Sequence, residues 1–140
     1  MNHLRDERGS VTAWMATGAF VMATLVGLAV DLGGQVHAQQ RAHDVAAQAA
    51  RTGAQEVQAA PAVQGRYARI DTSAARQAAQ AYLSAAGMRG TVSISNGDRI
   101  VVETRDTYRT KFLGIIGITR VTVHGEATGH LVRSLGGNQR

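Results

Sequence analysis

The chain has 140 residues, no cysteine, and a net charge of +5 with fourteen arginines and one lysine among its cations. The missing cysteine excludes disulfide staples, thiol catalysis and thiolate metal sites. The arginines are scattered, as at Arg41, Arg51, Arg66, Arg76 and Arg89, and the lack of any dense basic run argues against nucleic acid as a partner.

Residues 1–9 form a short polar head that carries Arg5 and Arg8. The run from Gly9 to Val30 follows, 22 residues without a charge. As a helix it would extend roughly 33 Å, enough to cross a hydrocarbon core of ~30 Å. We therefore expect a transmembrane helix over residues 10–30. The arginines before the run, with no basic residue after it until Arg41, place the head in the cytoplasm and residues 31–140 outside it, as a single-pass protein of the cytoplasmic membrane. A secreted domain released by signal peptidase after Ala38 is the alternative, with Val36-His37-Ala38 as an acceptable small-residue pattern. A membrane-anchored domain of unrelated function is a further alternative. Within the run, Ala16, Ala19, Ala23 and Gly27 recur at spacings of three and four. Such a stripe lets two membrane helices approach closely, although a chain this rich in Ala and Gly would produce one by composition alone.

Asp31 follows at once and marks the outer interface; Gly33 and Gly34 then permit a bend, but the helical pattern continues. From Gln35 to Gln58, Ala38, Ala42, Val45, Ala49 and Gly53 make a thin stripe of mostly small residues, opposite Gln40, Asp44, Gln48, Arg51 and Gln55. Pro61 ends this helix, and residues 61–70 read as a loop. A second helix fits Thr72–Ala86, with Asp71 as N-cap and Gly87 just past its end. Its packing face holds Ala75, Ala78, Ala79, Tyr82 and Ala86, widened by Leu83.

Alternation over Thr91–Ser95 and Ile100–Glu103 predicts a β-hairpin. A three-residue loop, Ser95-Asn96-Gly97, brings Val92, Ile94, Ile100 and Val102 onto one face, pairs Val92 with Ile100, and gives Gly97 the left-handed position. The segment Lys111–Thr119, KFLGIIGIT, reads as one helical turn or a buried loop. A third strand runs from about Arg120 to His130, with Val121, Val123, Gly125 and Ala127 facing the helices; the last residues look frayed. The expected fold class is thus α+β: an N-terminal transmembrane helix continuing into an Ala-rich helix, a second helix, and a small antiparallel three-stranded sheet.

The chemistry is thin. His124, Glu126 and His130 share one strand face and in principle suit a metal or proton exchange, but alternate polar residues on an exposed strand usually just face solvent. His37 and His43 lie six apart and share a helix face poorly. No nucleophile elbow or phosphate-cradling loop is present, so no enzyme activity and no cofactor is expected.

The order ERGSVTAW, an apolar helix, then VDLGGQVHAQQRAHDVAAQAARTGAQE resembles the TadE/TadG-like proteins of the tight-adherence (Flp) pilus system. The matching features are Arg8-Gly9 before the helix, Asp31-Leu32-Gly33 at its end, and the Ala-rich core Asp44-Val45-Ala46-Ala47. The C-terminal FLGIIGITRVTVHGEATG is similar more weakly. The resemblance implies a minor pilin-like protein (a pseudopilin) anchored in the membrane, acting at the cell surface in pilus assembly. It implies as partners the lipid bilayer, other pilus-assembly membrane proteins, pilin-like subunits and, as a candidate, the prepilin peptidase. Cleavage in that family falls after a glycine, here between Gly9 and Ser10. The fifth residue of the mature chain would be Trp14, where processed subunits carry Glu, and TadG-like members often lack that Glu. An uncut chain is expected.

Overall fold

The structure, a computed structural model, describes residues 7–59 and 72–131. Its main element is α1, Glu7–Ala59, an unbroken helix of 53 residues that passes through Gly33-Gly34 without interruption. The second helix, α2, spans Thr72–Ala85. Three antiparallel strands follow, β1 (Arg89–Ser95), β2 (Arg99–Arg109) and β3 (Arg120–His130), in the spatial order β1-β2-β3. The α+β architecture expected from the pattern is present. The expected loop at 61–70, the Asp71 cap, Arg5 and the C-terminal fraying lie outside the described residues.

The C-terminal half of α1 and all of α2 cover one face of the sheet. The small-residue stripe is the reason they can approach it. Of the expected stripe, Ala42, Ala49 and Gly53 are buried and Ala38 and Val45 half-buried, with Ala46 buried beside them, while Gln40, Asp44, Gln48, Arg51 and Gln55 are exposed. Backbone meets backbone along this seam. A Cβ placed on Gly125 in β3 would overlap the main chain of Ala42 and His43, and one on Gly53 would come within 2.7 Å of the Ala75 carbonyl oxygen in α2. The larger core residues Leu83, Ile100 and Val102 fill what the alanines leave. In β2 the buried Thr104 donates its hydroxyl to the Ala42 carbonyl at 2.8 Å, with the Gly125 carbonyl at 3.2 Å, so helix and sheet are also pinned by a polar contact.

On α2, Ala75, Ala79 and Leu83 are buried, and Ala78 and Ala86 half-buried. Tyr82, expected on this face, is exposed, because Leu83 takes the central position. Gly87 has φ 65°; its N–H donates to Ser84 and that of Met88 donates to Leu83, the paired bonds of a Schellman end, which glycine allows at low strain.

The first strand begins at Arg89, two residues before Thr91. The hairpin differs from its expected register. Val92 pairs with Val102 and Ile94 with Ile100, so the loop is Asn96-Gly97-Asp98, shifted by one residue. Asn96 (φ 55°) and Gly97 (φ 72°) both occupy the left-handed region that a tight turn with primed geometry requires; Asp98 is the extra residue, and its carbonyl accepts from Leu131 at 2.7 Å. Asparagine tolerates that region, so two adjacent positive-φ residues replace the single one expected. Parity is unchanged by this shift, so the four apolar side chains still share the helix-facing side.

The junction between the apolar helix and the sheet

The N-terminal part of α1 stands clear of the domain. Trp14 is 79% exposed and Phe20 73%. The helix is long and apolar enough to cross a membrane, and only 6% of its most apolar stretch is buried within the protein. A core helix of a soluble domain would be mostly covered. Two hydroxyls in this stretch are paired within the helix: Thr17 and Thr24 donate to the carbonyls of Ala13 (2.9 Å) and Phe20 (2.8 Å), a pairing compatible with a site that lacks water.

Where this bare segment meets the domain lies a specific polar arrangement centred on Asp31. Asp31 is 1% exposed. One of its oxygens accepts from the N–H of Lys111 at 2.7 Å; the other accepts from Phe112 at 2.8 Å and Leu113 at 2.7 Å. These amides open a short 3₁₀ helix, Leu113–Ile116, which has no capping side chain of its own. Asp31, some eighty residues upstream, therefore serves as its cap, and the partial positive charge of three aligned N–H groups balances the carboxylate. The Tyr108 hydroxyl lies 3.5 Å from Asp31, a long contact. Burial first, and then the neighbouring Asp31 charge, raise the Tyr108 phenol above its ordinary pKa of 10.0, so it stays a neutral donor.

Two glycines flank Asp31 on the same helix face. The Phe112 ring lies against Gly27, with its atoms 2.7 Å from where a Cβ would be, and the Tyr108 phenol fills the space over Gly34. Gly27, Asp31 and Gly34, spaced four and three apart, thus form a socket for the β2–β3 loop. Asp31 was legible in the sequence only as a boundary charge. Its capping role was missed because the acceptor and its donors are far apart in the chain. The available signal was an acid directly after an uncharged helix and a glycine-broken apolar segment with no cap nearby. That segment, expected as a helical turn or a buried loop, is a 3₁₀ turn in an exposed loop: Ile115 is 84% and Ile116 72% exposed.

The structure places the other sequence candidates as follows. Gly9 and Ser10 lie exposed near the start of α1, with open space around Gly9. Ala16, Ala19 and Ala23 are exposed, whereas Gly27 is buried beneath the chain's own Phe112. Gly27→Leu should therefore expel Phe112 and loosen the β2–β3 loop, while Ala23→Leu should leave the domain intact; limited proteolysis of the two variants in detergent checks this, and equal loop cleavage in both would contradict it. His124, Glu126 and His130 are exposed on β3, and the first two line a shallow groove beside α1 with His43 and Asp44. Among the described residues no group of three or more His, Cys, Asp or Glu could hold a metal ion.

Fold and junction together define an α+β domain carried on a candidate membrane-spanning helix with which it shares a continuous backbone. Residues 9–56 match the family model described as "Putative Flp pilus-assembly TadE/G-like". The match covers α1 alone and includes Gly27, Asp31 and Gly34; α2 and the sheet lie outside it. No curated protein and no solved structure matches the chain.

Proposed function

We propose that this protein is a membrane-anchored, minor pilin-like component in the assembly of a tight-adherence (Flp-type) pilus. The observation that carries the reading is the coincidence of the family match with the bare apolar helix and the Asp31 socket. In this reading residues 1–9 are a cytoplasmic head, 10–30 span the cytoplasmic membrane once, and 31–140 form the extracytoplasmic domain. The domain works by contact rather than catalysis, its partners being other pilus-assembly membrane proteins and pilin-like subunits.

The socket also bears on the alternative of a secreted domain. Release after Ala38 would remove Asp31 and leave three N–H groups of the loop without their acceptor, and it would remove the glycines under Phe112 and Tyr108. A hydrogen bond to a charged group contributes about 1.5–3 kcal/mol, so retention of the helix fits the folded domain better. The prepilin peptidase remains a candidate partner through Gly9-Ser10; with Trp14 in place of Glu, the chain stays uncut.

Deletion of the gene should abolish pili and surface attachment, restored by the full chain. The protein should be extracted from membranes by detergent with the mass of the uncut chain, and protease added to intact spheroplasts should degrade its domain. Normal piliation in the deletion strain would defeat the assembly role. A mature start at Ser10 would show processing, and one at Gln39 would show that the helix is a cleaved signal.

A further inference from the structure

We propose that the loop Lys111–Ile118 between β2 and β3 enters the membrane beside α1, giving the domain a second contact with lipid. This rests on the reading that α1 spans the membrane, and it adds that the domain lies against the bilayer rather than standing off it.

Depth is set first. The Phe112 ring packs on Gly27, which is three residues inside the uncharged run that ends at Val30. Three residues are about 4.5 Å of helix, so Phe112 reaches below the outer end of that run. Beyond Asp31 the helix still shows lipid-compatible surface, with Leu32 50% and Val36 55% exposed. The loop held by Asp31 is therefore level with apolar helix surface on both sides.

The chemistry of the loop agrees with that position. Phe112, Ile115, Ile116 and Ile118 are large, apolar and exposed. Most of its backbone N–H groups are already paired. The N–H groups of Lys111, Phe112 and Leu113 go to Asp31, and those of Ile115, Gly117 and Ile118 go to Phe112, Gly114 and Leu113. Irregular backbone is excluded from the hydrocarbon centre, whereas six of these eight amides are paired internally, which suits a loop seated at the interface. Finally, the loop has a cationic neck. Arg109 and Arg120 are directly opposed in the last pair of the β2–β3 ladder, with Lys111 beside them, all exposed. Like charges directly opposite are unfavourable in a sheet by themselves. At the headgroup level they meet lipid phosphates, with apolar side chains below and cations above, the arrangement of a membrane-entering segment.

The chain lacks cysteine, so single thiols report position without background. Full-length Ile115→Cys and Ile116→Cys, each compared with Ser93→Cys on the outer sheet face and Phe20→Cys in α1, are reconstituted in phosphatidylcholine/phosphatidylglycerol vesicles with the domain outward. They are labelled with an environment-sensitive fluorophore and quenched with spin-labelled lipid. The proposal expects blue-shifted, lipid-quenched probes at 115 and 116, and thiol reaction with an impermeant reagent slower than at Ser93 by about tenfold or more, as burial of one large aliphatic side chain would give. Loop probes that stay aqueous while the Phe20 probe is quenched by lipid overturn the loop inference and leave the anchor intact. Aqueous probes at both overturn the anchor reading and this one with it. Loop probes shielded from water but not quenched by lipid would show a protein covering the loop, which also overturns the proposal.

Discussion

Replacing Asp31 by alanine is expected to release the β2–β3 loop from α1. The change removes the acceptor of the Lys111, Phe112 and Leu113 N–H groups together, and a hydrogen bond to a charged group contributes about 1.5–3 kcal/mol. Amide exchange at these positions should accelerate by about tenfold or more, and the loop should become the first site of proteolysis in detergent-solubilised protein. Asp31→Asn should fall between wild type and alanine. It is isosteric, but one of its two acceptor oxygens becomes an NH₂ that faces N–H donors. Exchange unchanged in Asp31→Ala would mean that the contacts seen around this carboxylate do not hold the loop. If the loop also lies in lipid, the effect should be smaller in vesicles than in water-rich micelles, since the apolar side chains then retain a second hold.

Gly125 is the second position where a large effect is expected. Even alanine there places a Cβ against the backbone of Ala42 and His43, and backbone cannot swing aside as a side chain can. Overpacking typically costs 1–3 kcal/mol and occasionally more; here the cost belongs at about 3 kcal/mol for alanine and higher for valine. In a domain of this size about 3 kcal/mol lowers the melting temperature by roughly 10–20 °C. Gly18→Ala is the control, since nothing lies within 4 Å of that position and alanine favours helix. Thermal denaturation of the three proteins in the same detergent checks the order. A Gly125→Ala melting point equal to that of Gly18→Ala would show that α1 does not sit as close to β3 as the structure has it.

These two residues mark where sequence reasoning ends. The periodicity of Ala42, Val45, Ala49 and Gly53 made the packed face of α1 legible, and the alternation of Val121, Val123, Gly125 and Ala127 made that of β3 legible. Both patterns are local, because helix and strand periods are set by backbone geometry within a few residues. That Gly125 must lie against Ala42 is not local: it depends on how two faces dock. Similarly, the hairpin parity of Val92, Ile94, Ile100 and Val102 could be read from alternation, while the register moved by two because Asn96 as well as Gly97 accepts a positive φ.

The uncharged run Gly9–Val30, its continuation into an amphipathic Ala-rich helix, the α+β order of elements and the likeness to TadE/TadG-like proteins were all determined by the sequence by itself, since each rests on composition or on periods of two to four residues. Only the tertiary structure decided that Asp31 is a buried cap rather than a free boundary charge, that Gly27 packs on Phe112, and that Ile115 and Ile116 face outward. The physical reason is distance along the chain. A carboxylate and three amides some eighty residues apart carry no mutual signal in sequence, and they meet only because the helix–sheet docking brings the β2–β3 loop back to the helix that the chain began with.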